Sequence, residues 1–118
     1  HAMPYLHEMG AALASADLVI SRAGASCLGE YPLFGLPAVL VPYPHAWRYQ
    51  KVNADYLTNR GAAVMVEDQV LDAELMNTLN VLMNNPNKLQ AMRAAMFELS
   101  HPRAAEKIAD MLVGLAGE

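Results

Sequence analysis

Residues 17–30, DLVISRAGASCLGE, constrain the fold more than any other stretch of this 118-residue chain. An apolar run at 18–20 breaks into a loop of small residues around Gly24 and restarts as a segment carrying Glu30 about one turn in. That layout reads as strand, loop and helix, with Ser26 or Cys27 opening the helix and Gly35, Leu36 and Pro37 closing it. Pro32 lies inside the helix and removes a backbone donor, so a short or bent helix is expected. A second continuous apolar run at 38–41 has the character of a strand buried on both faces of a parallel sheet, and Pro42 and Pro44 stop it.

The same alternation extends in both directions. Leu6, Met9 and Leu13 repeat at helical spacing ahead of Asp17, and Val52, Tyr56 and Leu57 mark a helix from 48 or 49 to about 60. Gly61 closes that helix and a third strand is predicted over 63–66. The fold class is therefore α/β: a parallel, Rossmann-like sheet of about three strands with flanking helices. After Asp68 the chain reads as a helical C-terminal tail over 72–83, 86–99 and 102–115, with Pro86 and Pro102 placed in first turns. Met76, Leu79, Met83, Leu89, Met92, Met96 and Met111 form apolar stripes expected to pack in the core, the alternative being an exposed lipid- or partner-binding stripe.

Composition narrows the function. With 54% apolar residues the chain is not of a disordered type, and a net charge of −4 without a basic stripe disfavours a nucleic-acid partner. A single cysteine excludes an internal disulfide, and no Cys/His cluster at ligand spacing points to a metal. No apolar run approaches the roughly 20 residues that span a bilayer. His1, Ala2 and Met3 resemble a cloning scar, leaving 4–118 as the native segment.

Ligands of parallel sheets collect beyond the carboxyl ends of the strands, where helix N-termini present unpaired N–H groups. Gly24, Ala25 and Ser26 stand at such a place and could cradle a diphosphate, or form an ordinary strand-to-helix turn. Glu30 can accept hydrogen bonds from two vicinal ribose hydroxyls; as a capping-box glutamate it would need Cys27 at the cap, and cysteine caps poorly. Arg22 can reach a phosphate, a backbone carbonyl or a structural ion pair. His45, Tyr49, Gln50 and Asn53 stand in or just after the loop leaving the second strand, with Gln50 and Asn53 on one helical face. Their amides offer donors and acceptors suited to sugar hydroxyls and an N-acetyl group. Tyr43 and Trp47 could stack on a sugar or uracil ring or bury against the sheet. A lone histidine such as His45 is more often structural than a catalytic base.

These motifs together resemble the C-terminal, donor-binding domain of the MurG family of peptidoglycan N-acetylglucosaminyltransferases. The resemblance runs through PYLHEM at 4–9, ADLVISRAGASCLGE at 16–30, GLPAVLVPYPHAWRYQKVNA at 35–54 and RGAAVMVED at 60–68. It implies a partial C-terminal domain of the two-Rossmann glycosyltransferase type (GT-B), and UDP-N-acetylglucosamine as donor, transferred with inversion to a lipid-linked muramoyl-pentapeptide. It implies no cofactor, a place at the inner face of the bacterial plasma membrane for the full-length protein, and an acceptor held mainly by the other domain. By motif position, Gly24, Ala25, Ser26 and Cys27 would lie against the diphosphate and Glu30 would hold the ribose. Gln50, with Tyr49 beside it and Asn53 one turn on, would contact the N-acetylglucosamine. Cys27 stands where the family often has threonine, and Tyr49 where some members have a second glutamine.

No general base is identifiable in the chain, and this segment is expected not to turn over alone. The resemblance further implies that earlier strands of the sheet are absent, leaving an open edge at 18–20 that invites self-association. Relatives of the same fold acting on other acceptors, sugar-nucleotide epimerases, a non-catalytic nucleotide-sugar-binding or interaction module, and a fragment with no competent site remain as competing readings.

Overall fold

The computed structural model describes residues 1–45 and 49–117. Three short strands, β1 (Val19–Ser21), β2 (Ala38–Leu40) and β3 (Ala63–Met65), form one parallel sheet in the order β1-β2-β3. Helix α1 (Met9–Ser15) precedes the sheet, and α2 (Cys27–Phe34) and α3 (Tyr49–Thr58) connect its strands. A 3-10 turn (Asp68–Val70) leads into α4 (Leu71–Met83), α5 (Pro86–Glu98) and α6 (Ala104–Ala116).

Strand β2 shows why a continuous apolar run was needed. Side chains alternate across a strand, so a strand covered on both faces has no polar side. Ala38 and Leu40 join a cluster with Cys27, Tyr31, Ala54, Leu57 and Met96, whereas Val39 and Val41 join Val66, Leu82 and Met92 on the other face. Helix α5 sends Met96 to one cluster and Met92 to the other.

Helix α2 ends where the sequence placed its stop. Gly35 takes the left-handed conformation at φ 55°, its N–H donates to Pro32 O, and Leu36 N–H reaches back to Tyr31 O at 2.9 Å. A Cβ at Gly35 would come within 2.3 Å of the Phe97 ring, so the position admits glycine for two reasons at once.

Several expectations are corrected. Strand β1 sits one residue later than predicted, because Ser21 O accepts from Val41 N–H and so belongs to the ladder. Pro102 is outside α6, in a turn closed by Ala104 N–H on His101 O. Met76, Met83 and Met111 are not core residues: they are 63%, 57% and 68% exposed. On α4 the stripe that faces the core is Leu75, Leu79 and Leu82, of which Leu82 is fully buried and the other two pack against it partly exposed, one position out of phase with Met76 and Met83. No residue of α6 is buried, and its Ile108, Met111, Leu112 and Leu115 all face outward.

The register places the functional end of the sheet. Ser21 pairs with Leu40 and Leu40 with Met65, so the three strands finish level and their following loops leave one edge together. Among the described residues the outer edge of β1 has no strand partner, and Ile20 is 46% exposed.

Candidate functional site

The loop after β1 is built so that its own backbone groups are divided between fold and surface. The carbonyls of Gly24, Ala25 and Ser26 accept from Cys27, Leu28 and Gly29 N–H, and Ser26 O also takes Glu30 N–H at 2.9 Å. This winds the start of α2 tightly. Among the described residues nothing accepts from the N–H groups of Gly24, Ala25 or Ser26. Ser26 is the N-cap residue, yet its hydroxyl makes no capping bond and is exposed. Three unspent N–H groups and a free hydroxyl at a helix N-terminus form a site suited to an anion.

Gly24 carries further information. It has no positive φ, and a Cβ built on it would meet nothing within 4 Å. Neither strain nor crowding by the described residues asks for glycine there, and the open space lies where a ligand could approach the backbone.

Cys27 contributes differently from expectation. Its side chain is only 1% exposed, within the core beneath the loop, and its N–H is taken by Gly24 O at 3.2 Å. Burial pushes the thiol up to about 11; its backbone hydrogen bond opposes this and the charge of Glu30 adds to it. The thiol is therefore a neutral packing group rather than a phosphate contact. Glu30, by contrast, is exposed on α2, and its carboxylate makes no hydrogen bond or ion pair among the described residues.

Arg22 is committed to the protein. Its Nη1 donates to Val41 O at 3.3 Å and to Asp68 Oδ1, and its guanidinium lies 5.3 Å from the centre of the Tyr43 ring. One side chain thus ties together the exits of all three strands. Of the three partners open to Arg22, the structure shows the backbone carbonyl and the ion pair, with Val41 O and Asp68 sharing one guanidinium nitrogen. Asp68 was not singled out from sequence; its partner is 46 positions away and no local pattern announces it.

The loop after β2 folds back onto α3. Gln50 Oε1 accepts from Tyr43 N–H at 2.9 Å, and Asn53 Nδ2 donates to Ala23 O at 3.0 Å. Each amide spends one half on the backbone. Gln50 keeps its NH2 and Asn53 its Oδ1, one donor and one acceptor on the same face of α3. Tyr43 is 45% exposed rather than buried against the sheet, with His45 edge-on to it at 5.5 Å. Tyr49 is 67% exposed at the start of α3. Trp47 and Arg48 lie outside the described residues.

The structure therefore brings the loop of residues 23–26 and the helix carrying Gln50 and Asn53 into direct contact, with Glu30 on the helix leaving that loop. Among the described residues no group of three or more His, Cys, Asp or Glu could hold a metal ion. No helix among them is long and apolar enough to cross a membrane.

Comparison with known proteins bears on the same region. The model of the glycosyltransferase family 28 C-terminal domain matches residues 1–108. The chain is 47% identical over 117 residues to the UDP-N-acetylglucosamine--N-acetylmuramyl-(pentapeptide) pyrophosphoryl-undecaprenol N-acetylglucosamine transferase of Desulforudis audaxviator, covering 98% of this chain and 31% of that protein. The protein of the same name from Chlorobium limicola is 43% identical over 115 residues, covering 96% of this chain and 32% of its own length. The crystal structure of Acinetobacter baumannii MurG superposes with a TM-score of 0.82 at 32% identity, over 92% of this chain and 32% of that one. The chain thus spans about a third of the length of the relatives it matches.

Proposed function

The chain belongs to the glycosyltransferase family 28 C-terminal domain family, and from that premise we propose that it is the donor-binding part of an inverting N-acetylglucosaminyltransferase of peptidoglycan synthesis. The donor is UDP-N-acetylglucosamine. Its diphosphate rests on the loop of Gly24, Ala25 and Ser26, its ribose hydroxyls on Glu30, and its sugar against Gln50, Asn53 and the exposed ring of Tyr49. The observation that carries the reading is the bond from Asn53 to Ala23 O, which holds the anion-ready loop beside the amide-bearing helix.

Each group matches its task. Backbone N–H groups at a helix N-terminus stabilise negative charge on a departing diphosphate without reorganising as it forms. A carboxylate without a partner accepts two hydroxyls well but would repel phosphate, so Glu30 is suited to ribose rather than diphosphate. Departure of UDP from a sugar with oxocarbenium character then needs an acceptor hydroxyl. That hydroxyl is carried by the lipid-linked acceptor at the inner face of the plasma membrane, which the other domain mainly holds, and residues 4–118 offer no identifiable base for it.

Titration calorimetry with UDP-N-acetylglucosamine tests the assignment. Glu30→Ala is expected to weaken binding about tenfold or more, since hydrogen bonds to a charged group are worth roughly 1.5–3 kcal/mol. Affinity unchanged by the substitution would sink the ribose role, and no binding at millimolar donor would sink the reading as a whole.

A further inference from the structure

We infer that Asn53 is a positioning residue for the donor diphosphate, acting through the backbone of the loop after β1; the inference rests on the donor-binding reading above. Its amide nitrogen donates to Ala23 O at 3.0 Å across 30 positions of sequence. Only the nitrogen of a side-chain amide can donate to a carbonyl, so chemistry fixes which way the Asn53 amide is turned. The carbonyl it holds shares a planar peptide unit with the Gly24 N–H, and in a trans unit the two groups point in opposite directions. Holding Ala23 O toward α3 therefore aims Gly24 N–H away from α3.

The preceding peptide unit is held as well. Ser21 Oγ donates to Arg22 O at 2.9 Å, and Tyr31 O–H donates to Ser21 Oγ at 2.8 Å. Two successive peptide planes are thus fixed by side chains from β1, α2 and α3, immediately before the N–H groups of Gly24, Ala25 and Ser26 that the fold leaves unspent. Among the described residues nothing lies within 4 Å of a Cβ at Gly24, which completes the arrangement. Donors ordered before the ligand arrives do not have to be ordered at its expense, so a side chain that never touches phosphate can govern affinity for it. A sugar contact and a loop-holding role for Asn53 make different demands on the ligand: the first requires the sugar, the second only the diphosphate.

Calorimetry with UDP and with UDP-N-acetylglucosamine on the chain and its Asn53→Ala, Asn53→Asp and Gln50→Ala variants separates the two. The positioning role predicts that Asn53→Ala weakens UDP about fivefold, for one neutral hydrogen bond, and UDP-N-acetylglucosamine by at least as much. Asn53→Asp should weaken both further, because a carboxylate would face Ala23 O while still offering an oxygen to the sugar. Gln50→Ala should weaken the sugar nucleotide alone. Loss of the sugar nucleotide with UDP unchanged in the Asn53 variants would overturn the inference. Binding of neither ligand by the unsubstituted chain would instead remove the donor reading, and amide exchange measured by NMR then decides the positioning claim by itself. Faster exchange at Gly24 and Ala25 in Asn53→Ala, with the β2 amides still protected, supports it; unchanged loop amides overturn it.

Discussion

The two ends of α2 carry glycines for opposite reasons. At the C-terminal end Gly35 is forced by the fold: its backbone is left-handed and the Phe97 ring fills the space a side chain would need. At the N-terminal end Gly24 has no positive φ, and among the described residues nothing crowds it. One end of the helix is locked and the other is left bare with unspent donors. Residues that the fold does not explain are where a ligand should be sought, and a glycine is informative only once its surroundings are known.

Breaking the locked end should have the largest effect. Gly35→Ala is expected to destabilise the chain by roughly 2–3 kcal/mol in chemical denaturation, combining a steric clash with left-handed strain. In a Phe97→Ala background only the strain, about 1 kcal/mol, should remain. Equal costs in both backgrounds would show that Phe97 is not the obstacle.

The bare end should respond in the other currency. Gly24→Ala is expected to leave unfolding within about 1 kcal/mol of the unsubstituted chain, or to stabilise it slightly by restricting the unfolded state. Donor affinity should fall about tenfold, or ~1.4 kcal/mol, in the same preparation. A large loss of stability with binding intact would reverse the assignment of the two ends.

The floor beneath the loop can be probed by pH. Burial holds the Cys27 proton in the folded chain to about pH 11, whereas a free thiol loses it near 9.0. The buried neutral thiol therefore contributes fully below pH 9, and that contribution is lost as pH rises toward 11. Burial raises Tyr31 in the same sense. Cys27→Ala should flatten part of the decline in stability between pH 9 and 11, and a decline of unchanged steepness would mean the thiol is not sheltered.

The strap across the strand exits should matter least to stability. Arg22 and Asp68 are half and about a third exposed, and exposed ion pairs are worth at most about 1 kcal/mol. Arg22→Ala is expected to cost about 0.5–1 kcal/mol in the same denaturation measurement. A cost several times larger would place the strap among the determinants of the fold rather than of loop order.

Much of this was legible before any coordinates. The parallel sheet followed from apolar runs that lacked polar alternation, and the end of α2 from Gly35 with Pro37 behind it. The loop around Gly24 and the amides of Gln50 and Asn53 stood out because they follow strand-like runs, where the ligands of a parallel sheet collect. What failed was phase and partnership. Met76, Leu79 and Met83 and the set Leu75, Leu79 and Leu82 fit a helical period equally well, and only burial selects the second. Met111 belongs to an apolar face of α6 that no described residue covers.

By itself, then, the sequence determined the alternation of strand and helix, the sheet type and the two motifs, because each rests on local sterics and on periods of two or 3.6 residues. Tertiary structure alone decided that Arg22 would strap three loops, that the Cys27 thiol would face inward and that Asn53 would hold Ala23. Those are choices among partners tens of residues apart, and a hydrogen bond between them leaves no trace in the spacing of the chain.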